Sequence, residues 1–273
     1  MANPLRPLST GELLDRTFAL YRTHFMLFVG IAALPHLILL AYELAGITVR
    51  PNPQNLATVF WTFLWAIGTG VVTLLVGAAA QAATVVAVSQ VHLERPTSVT
   101  DAFSRVKHRM ATVVGLTIVM GIAIGMGFLL LIVPGVLLTL MWSLAVPVAV
   151  LENKGLGDAM SRSSQLTQGN RGRIFVIWLL FAVLSLAVVL LLQWPITLAT
   201  VTMTRNGNAT NALVLMQVVS VVVSFISQSL VSPLATIAFA LVYYDERVRK
   251  EAFDLQLMMT TLDANPVPAA PAY

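Results

Sequence analysis

Asp158-Ala-Met-Ser-Arg162 recurs almost letter for letter as Asp101-Ala-Phe-Ser-Arg105, and a looser copy, Glu12-Leu-Leu-Asp-Arg16, stands near the start of the chain. In each copy an acid precedes an arginine by four residues. On a helix that spacing puts both charges on one face, with the acid on the N-terminal side where the pair is most favourable. Each copy leads into a long apolar stretch, so the chain reads as one unit used three times.

The apolar stretches decide the fold class. No Asp, Glu, Lys or Arg occurs from Pro51 to Leu93, from Met110 to Leu151 or from Asn206 to Tyr244, each more than 35 residues long, and Ile174 to Thr204 is also uncharged. One helical crossing of a bilayer takes about 20 such residues. With 58% hydrophobic and 10% charged residues the composition lies far from soluble averages. A membrane barrel would instead alternate polar and apolar residues along short strands. The expected fold is all-α: a polytopic membrane bundle of six transmembrane helices, arranged as three hairpins each preceded by an interfacial amphipathic helix.

The first unit covers about 9–95. Ser9 and Glu12 have capping-box spacing, and Leu14, Phe18, Tyr21 and Phe25 form one apolar stripe. Such a helix suits the membrane interface or packing against other loops. The first span runs from Phe25 to about Val49, with Pro35 inside it and Pro51-Asn52-Pro53 after it. Leu56 to His92 would reach about 55 Å as a helix, too long for one crossing and short for two. It contains no proline, and splitting it would put the basic segment 95–109 opposite the other basic loops, so one helix is expected, bent if anywhere at Gly68, Gly70 or Gly77. The second unit, about 96–154, opens with Ser98 or Thr100 as a cap. Its two spans are expected to turn at Pro134-Gly135, and Gly121 and Gly125 have the spacing that permits close helix packing. The third unit, about 155–250, has spans near Ile174–Pro195 and Ala212–Tyr244, kinked at Pro233. Residues 1–254 are expected to form one membrane domain, and 255–273 a disordered cytoplasmic tail.

The net charge is +4, and its placement points to membrane topology and not to nucleic acid. Under six spans, 14 of the 16 lysines and arginines fall on one side, leaving only Arg50 and Arg205 on the other. The positive-inside rule then places both termini in the cytoplasm, with basic loops against anionic lipid head groups. Each unit also returns to this side at an acid: Glu94, Glu152 and Asp245. Arg16, Arg105 and Arg162 are therefore candidates to pair with Glu94, Glu152 and Asp245 of neighbouring units in a cytoplasmic ring. The alternative is a set of independent surface charges, each worth about 0–1 kcal/mol.

Reactive constellations are missing from the sequence. There is no His-Glu-x-x-His, no Gly-x-Ser-x-Gly and no phosphate-binding glycine loop, and the four histidines are scattered at 24, 36, 92 and 108. With no cysteine, thiolate metal sites are excluded too. No catalytic residue, metal or cofactor is expected. Asn208-Ala-Thr210 matches a glycosylation triplet too common to weigh. Inside the membrane, His36 lies midway along the first span and Glu43 follows seven residues later on the same face. Such a pair could relay a proton or hold a cation. Equally, Glu43 could reach head groups and His36 bond a neighbouring helix. Gln81 is the third candidate for this polar site; with Gln193, Gln217, Ser224 and Gln228 it also suits hydrogen bonds between helices.

Three blocks carry a family resemblance: Leu8-Ser-Thr-Gly-Glu-Leu-Leu-Asp-Arg-Thr-Phe-Ala-Leu-Tyr-Arg22; Val133-Pro-Gly135 with Ala145 to Glu152 and Asp158 to Asn170; and Tyr243-Tyr-Asp-Glu-Arg-Val-Arg-Lys-Glu-Ala-Phe-Asp254. Together they resemble the bacterial glycerophosphoryl diester phosphodiesterase membrane-domain family. The chain departs from that pattern around Ser164, Gln165 and Gln168, where an aromatic and more basic residues are usual, so no anion contact is inferred there. In proteins of the family that carry both parts, phosphodiester chemistry belongs to a separate soluble barrel. Its clustered acids and metal ligands have no counterpart in this sequence. The resemblance implies a stand-alone, multi-pass membrane protein with no agreed activity; the expected setting is the bacterial plasma membrane and the expected role non-enzymatic. Two functions are expected from these features. The first is scaffolding or regulating a membrane protein partner. The alternative is transport or lipid handling at a cavity between the repeats, lined by His36, Glu43 and Gln81.

Overall fold

The computed structural model describes residues 8–47, 56–205 and 210–251, and among them every regular element is helical. The outer loop at Pro51-Asn52-Pro53, Arg50, Asn208 of the glycosylation triplet and the tail 255–273 lie outside the described residues.

The helices are α1 (Thr10–Thr23), α2 (Phe25–Gly46), α3 (Leu56–His92) and α4 (Val99–Val106), then α5 (Met110–Leu130), α6 (Ile132–Met141), α7 (Ala145–Leu151), α8 (Leu156–Thr167), α9 (Arg171–Arg205) and α10 (Thr210–Glu251). A single 3-10 turn at Lys107–Arg109 joins α4 to α5. Six stretches are long and apolar enough to cross a membrane: Phe25–Gly46, Ala57–His92, Val99–Leu130, Ile132–Leu151, Arg171–Arg205 and Ala212–Glu251. The fold is an all-α bundle with six membrane-spanning segments. α3 runs unbroken over 37 residues, as a stretch without proline should.

The starts of α1 and α4 follow from their polar residues. The Glu12 amide donates to Ser9 Oγ at 3.2 Å and the Ser9 amide to Glu12 Oε2 at 2.8 Å. Ser98 and Asp101 make the same reciprocal pair at 3.2 Å each. Each box satisfies two amides that the helix leaves without a partner.

Two backbone features of the second unit differ from expectation. The chain reverses between α5 and α6 at Leu131, the one extended residue there (φ −161°, ψ 151°), and not at Pro134-Gly135. Pro134 instead sits in the first turn of α6, where its missing N–H costs nothing. Gly135 serves the packing: a Cβ there would run into the Phe128 ring, and a Cβ on Gly127 would stand 3.0 Å from the Gly135 Cα. Close helix approach therefore falls at Gly127 and Gly135. Gly121 and Gly125 are exposed, and a Cβ on either would meet nothing within 4 Å.

The second difference is a break between α6 and α7 at residues 142–144, which splits what reads in sequence as one span. α8 repairs it. Ser163 Oγ donates to the Met141 carbonyl at 2.9 Å and accepts from the Leu144 amide at 3.2 Å, and Thr167 Oγ1 lies 3.4 Å from the same carbonyl. Ser163 and Thr167 are fully buried. A backbone group freed inside a membrane protein must find such a partner.

Burial is strongly asymmetric along the bundle. α3 is buried almost all round from Ala82 to Ser89, and α10, which packs against α1, α2, α3 and α9, is most buried from Ser227 to Glu246. Leu13, Phe28, Leu116, Leu144 and Ile174 complete this core. Toward the other end the same long helices turn large apolar groups outward, including Trp61 and Phe63 on α3 and Leu191 and Trp194 on α9. Facing lipid, such groups need no cover.

Candidate functional site

Two polar regions lie along α10. The first gathers charge where α8, α9 and the end of α10 meet the start of the described chain. The Asp245 carboxylate is wholly buried. It accepts from the Leu8 amide at 2.6 Å, from Arg249 Nε at 2.8 Å and from Arg173. Arg173 and Arg249 also donate to the Leu8 carbonyl, at 3.0 and 2.5 Å. Beside them Glu246, also buried, accepts from Asn170 Nδ2 at 2.6 Å and lies 3.7 Å from Arg173.

A second ion cluster adjoins the first. Glu152 accepts from Arg162 Nε at 3.3 Å and from the Tyr243 hydroxyl at 3.0 Å, with Lys154 at 3.7 Å. Glu251 joins Arg162 to Arg247, and Arg247 donates to the Tyr243 hydroxyl at 3.1 Å. The i, i+4 spacing along α10 presets the pairs 243–247, 245–249 and 247–251. Charges this far from water persist only when paired and hydrogen-bonded. Most of these oxygens are engaged, which ties the helices together; Glu246 Oε1 is the exception, buried without a hydrogen-bond donor. Among the described residues no group of His, Asp or Glu is arranged to hold a metal ion.

The second region is a cavity of about 200 Å³ between α2, α3 and α10. Its polar lining is His36 from α2, Thr73, Gln81 and Thr84 from α3, and Gln228, Ser232 and Thr236 from α10. His36 is eleven residues into α2, about 16 Å along it and so near the middle of a core of about 30 Å. The polar atoms here are only partly satisfied. His36 Nδ1 donates to the Ala32 carbonyl at 2.7 Å, and Thr84 and Thr236 bond their own helices at 2.7 and 3.2 Å. The carboxamides of Gln81, half-buried, and Gln228, exposed at the mouth, make no hydrogen bond among the described residues, and Ser229 Oγ, next to Gln228, is buried without a partner. Thr73, Gly77 and Gln228 are exposed, so the cavity opens to the side of the bundle.

The residues singled out from sequence divide between these regions. His36 and Gln81 share the cavity. Glu43 is half-buried further along α2 and is not among the lining residues. Arg162 faces Glu152, the exit acid of the preceding unit, while Asp245 takes Arg173 and Arg249. Arg16 is half-buried on α1, Arg105 is exposed on α4, and Glu94 is exposed in a left-handed conformation after α3 (φ 55°). Among the described residues none of these three joins an exit acid to an entry arginine. Sequence reading passed over Arg173, Arg249, Glu246 and Asn170, and the Leu8 backbone. The available signal was the run Asp245-Glu246-Arg247 beside Arg249, too dense in charge for independent surface positions.

Residues 116–264, more than half of the chain, match the family model for the membrane domain of glycerophosphoryl diester phosphodiesterase. The chain belongs to that family. No curated protein and no solved structure matches it. The family is described as a membrane domain and not as a catalytic one, and with six spanning segments the chain is a multi-pass membrane protein. The matched part begins inside α5. It contains both ion clusters apart from Leu8, and the α10 wall of the cavity. α2 and α3, with His36 and Gln81, precede it.

Proposed function

We propose that this protein catalyses no reaction and holds a membrane amphiphile, head group inward, in the lateral cavity between α2, α3 and α10. The observation that carries the reading is the pair of unpartnered carboxamides, Gln81 and Gln228, at mid-depth. An amide left unpaired in hydrocarbon costs several kcal/mol, so such groups are kept where something polar visits them. Gln193, at a comparable helix contact, is instead fully engaged with Ser220 and Ser224 of α10. The side opening favours entry from the bilayer.

The basic residues crowd the end where Leu8, α4 and the end of α10 lie. That distribution supports a bacterial plasma membrane setting with both termini cytoplasmic, and anionic lipid around Arg95, Lys107 and Arg109. A second reading, a scaffold or regulator for a membrane protein partner, draws support from the ion clusters, which lock α8, α9 and α10 to Leu8 as a rigid platform.

The test is to extract the full chain with its surrounding lipid in polymer nanodiscs and weigh it by native mass spectrometry. The expected result is one retained lipid, lost in Gly77→Leu. Gly77 lines the cavity and a Cβ there meets nothing within 4 Å, so the added side chain grows into the space while the melting temperature holds. Equal lipid retention by both forms would sink the reading. A stoichiometric protein partner retained by both forms would establish the scaffold instead.

A further inference from the structure

Resting on that reading, the geometry points to a head-group class: we propose that the cavity selects an uncharged polyol, the glycerol head of a neutral glycerolipid, over phosphate-bearing heads. The reason is the balance of donors and acceptors. A carbonyl oxygen cannot donate, so His36 Nδ1 carries the hydrogen in its bond to Ala32, and an uncharged ring then leaves Nε2 as an acceptor. Thr84 and Thr236 have likewise given their hydroxyl hydrogens to Ala80 and Ser232 carbonyls, and they too offer only lone pairs. The Gln81 and Gln228 carboxamides supply both donors and acceptors. Thr73 and Ser232 add hydroxyls that both donate and accept, so the lining offers donors and acceptors together and contains no Lys, Arg, Asp or Glu.

A phosphate diester or an ester carbonyl brings only acceptors, and leaves the lone pairs of Thr84 and Thr236 without a donor. A phosphate also brings charge to mid-bilayer, where no cation lines the cavity, and an unpaired charge there is costly. An ammonium brings donors but meets no carboxylate, since Glu43 lies outside the lining. A hydroxyl brings one hydrogen and two lone pairs. Two neighbouring hydroxyls match a carboxamide in both directions, one donating to its oxygen and one accepting from its nitrogen. The space of about 200 Å³ corresponds to about six or seven waters at ~30 Å³ each. That suits a head of about half a dozen heavy atoms, with the acyl chains left outside among Leu37, Ile38 and Leu75, all exposed.

The experiment reconstitutes the full-length protein in phosphatidylcholine nanodiscs and titrates 1-oleoylglycerol, dioleoylphosphatidic acid and free glycerol, reading adducts by native mass spectrometry. The expected result is oleoylglycerol bound about tenfold more tightly than phosphatidic acid. Gln81→Leu and Gln228→Leu should each weaken it about tenfold, the equivalent of one good hydrogen bond, with unchanged melting temperatures. Glycerol alone competing at equal concentration would keep the polyol chemistry and move its source from lipid to water. Phosphatidic acid binding as tightly, and still lost in Gly77→Leu, would overturn the polyol preference but leave lateral lipid binding standing. No lipid adduct sensitive to Gly77→Leu would overturn both.

Discussion

The ion clusters at the end of α10 and the cavity beside its middle are both polar, and one helix walls both, yet they are built in opposite ways. About 26 Å of helix separates Asp245 from Gln228. At Asp245 every carboxylate oxygen is engaged, by two arginines and a backbone amide brought from three parts of the chain. At Gln228 and Gln81 the groups are neutral and their hydrogen bonds are open. Charge gathers at the place where most of it is paired, Glu246 Oε1 excepted, because an unpaired charge in a low dielectric is far costlier than an unpaired amide. Full saturation marks structure. An unsaturated but uncharged lining is what the proposed lipid site requires.

Breaking the saturated side should have the largest effect. Asp245→Ala removes the buried acceptor shared by the Leu8 amide, the half-buried Arg173 and the exposed Arg249, leaving the arginines only the Leu8 carbonyl in common, and should cost about 3 kcal/mol, read as a lowered melting temperature in detergent. A shift of less than about 1 kcal/mol would demote the cluster to a surface ion pair. Ser163→Ala tests saturation without charge. The Met141 carbonyl and Leu144 amide lose their common partner, and a loss of about 1–3 kcal/mol is expected from the same melting curves. Gln193→Leu, removing the bonds to Ser220 and Ser224, should cost about 1 kcal/mol. Gln81→Leu is the counter-case and the smallest effect. With no partner to lose it should shift stability by no more than about 0.5 kcal/mol while weakening ligand binding. A Gln81 variant that melts like the Gln193 variant would erase the distinction between the two regions.

The spans were legible because they rest on local composition. The uncharged runs, the capping residues Ser9 and Ser98 and the absence of proline in α3 each act within a few turns of chain. The break at 142–144 was not legible. Nothing in Trp142-Ser-Leu144 stops a helix by itself, and the break is tolerated because Ser163 and Thr167 arrive from α8 to satisfy it. The cavity was half legible: His36 and Gln81 stood out as polar groups in apolar helices, but their meeting with Gln228, Ser232 and Thr236 depends on how α10 lies against α2 and α3.

By itself the sequence determined the six apolar spans, the capped starts of α1 and α4 and which segments are basic, since each of these follows from hydropathy, capping residues and charge counted along the chain. Only the tertiary structure decided which arginine serves which acid. Repeat symmetry offers Arg16, Arg105 and Arg162 alike, but Asp245 takes Arg173 and Arg249 and reaches across 237 residues to the Leu8 amide. A buried charge pairs with whatever donors packing brings within about 3 Å, and packing does not follow sequence order.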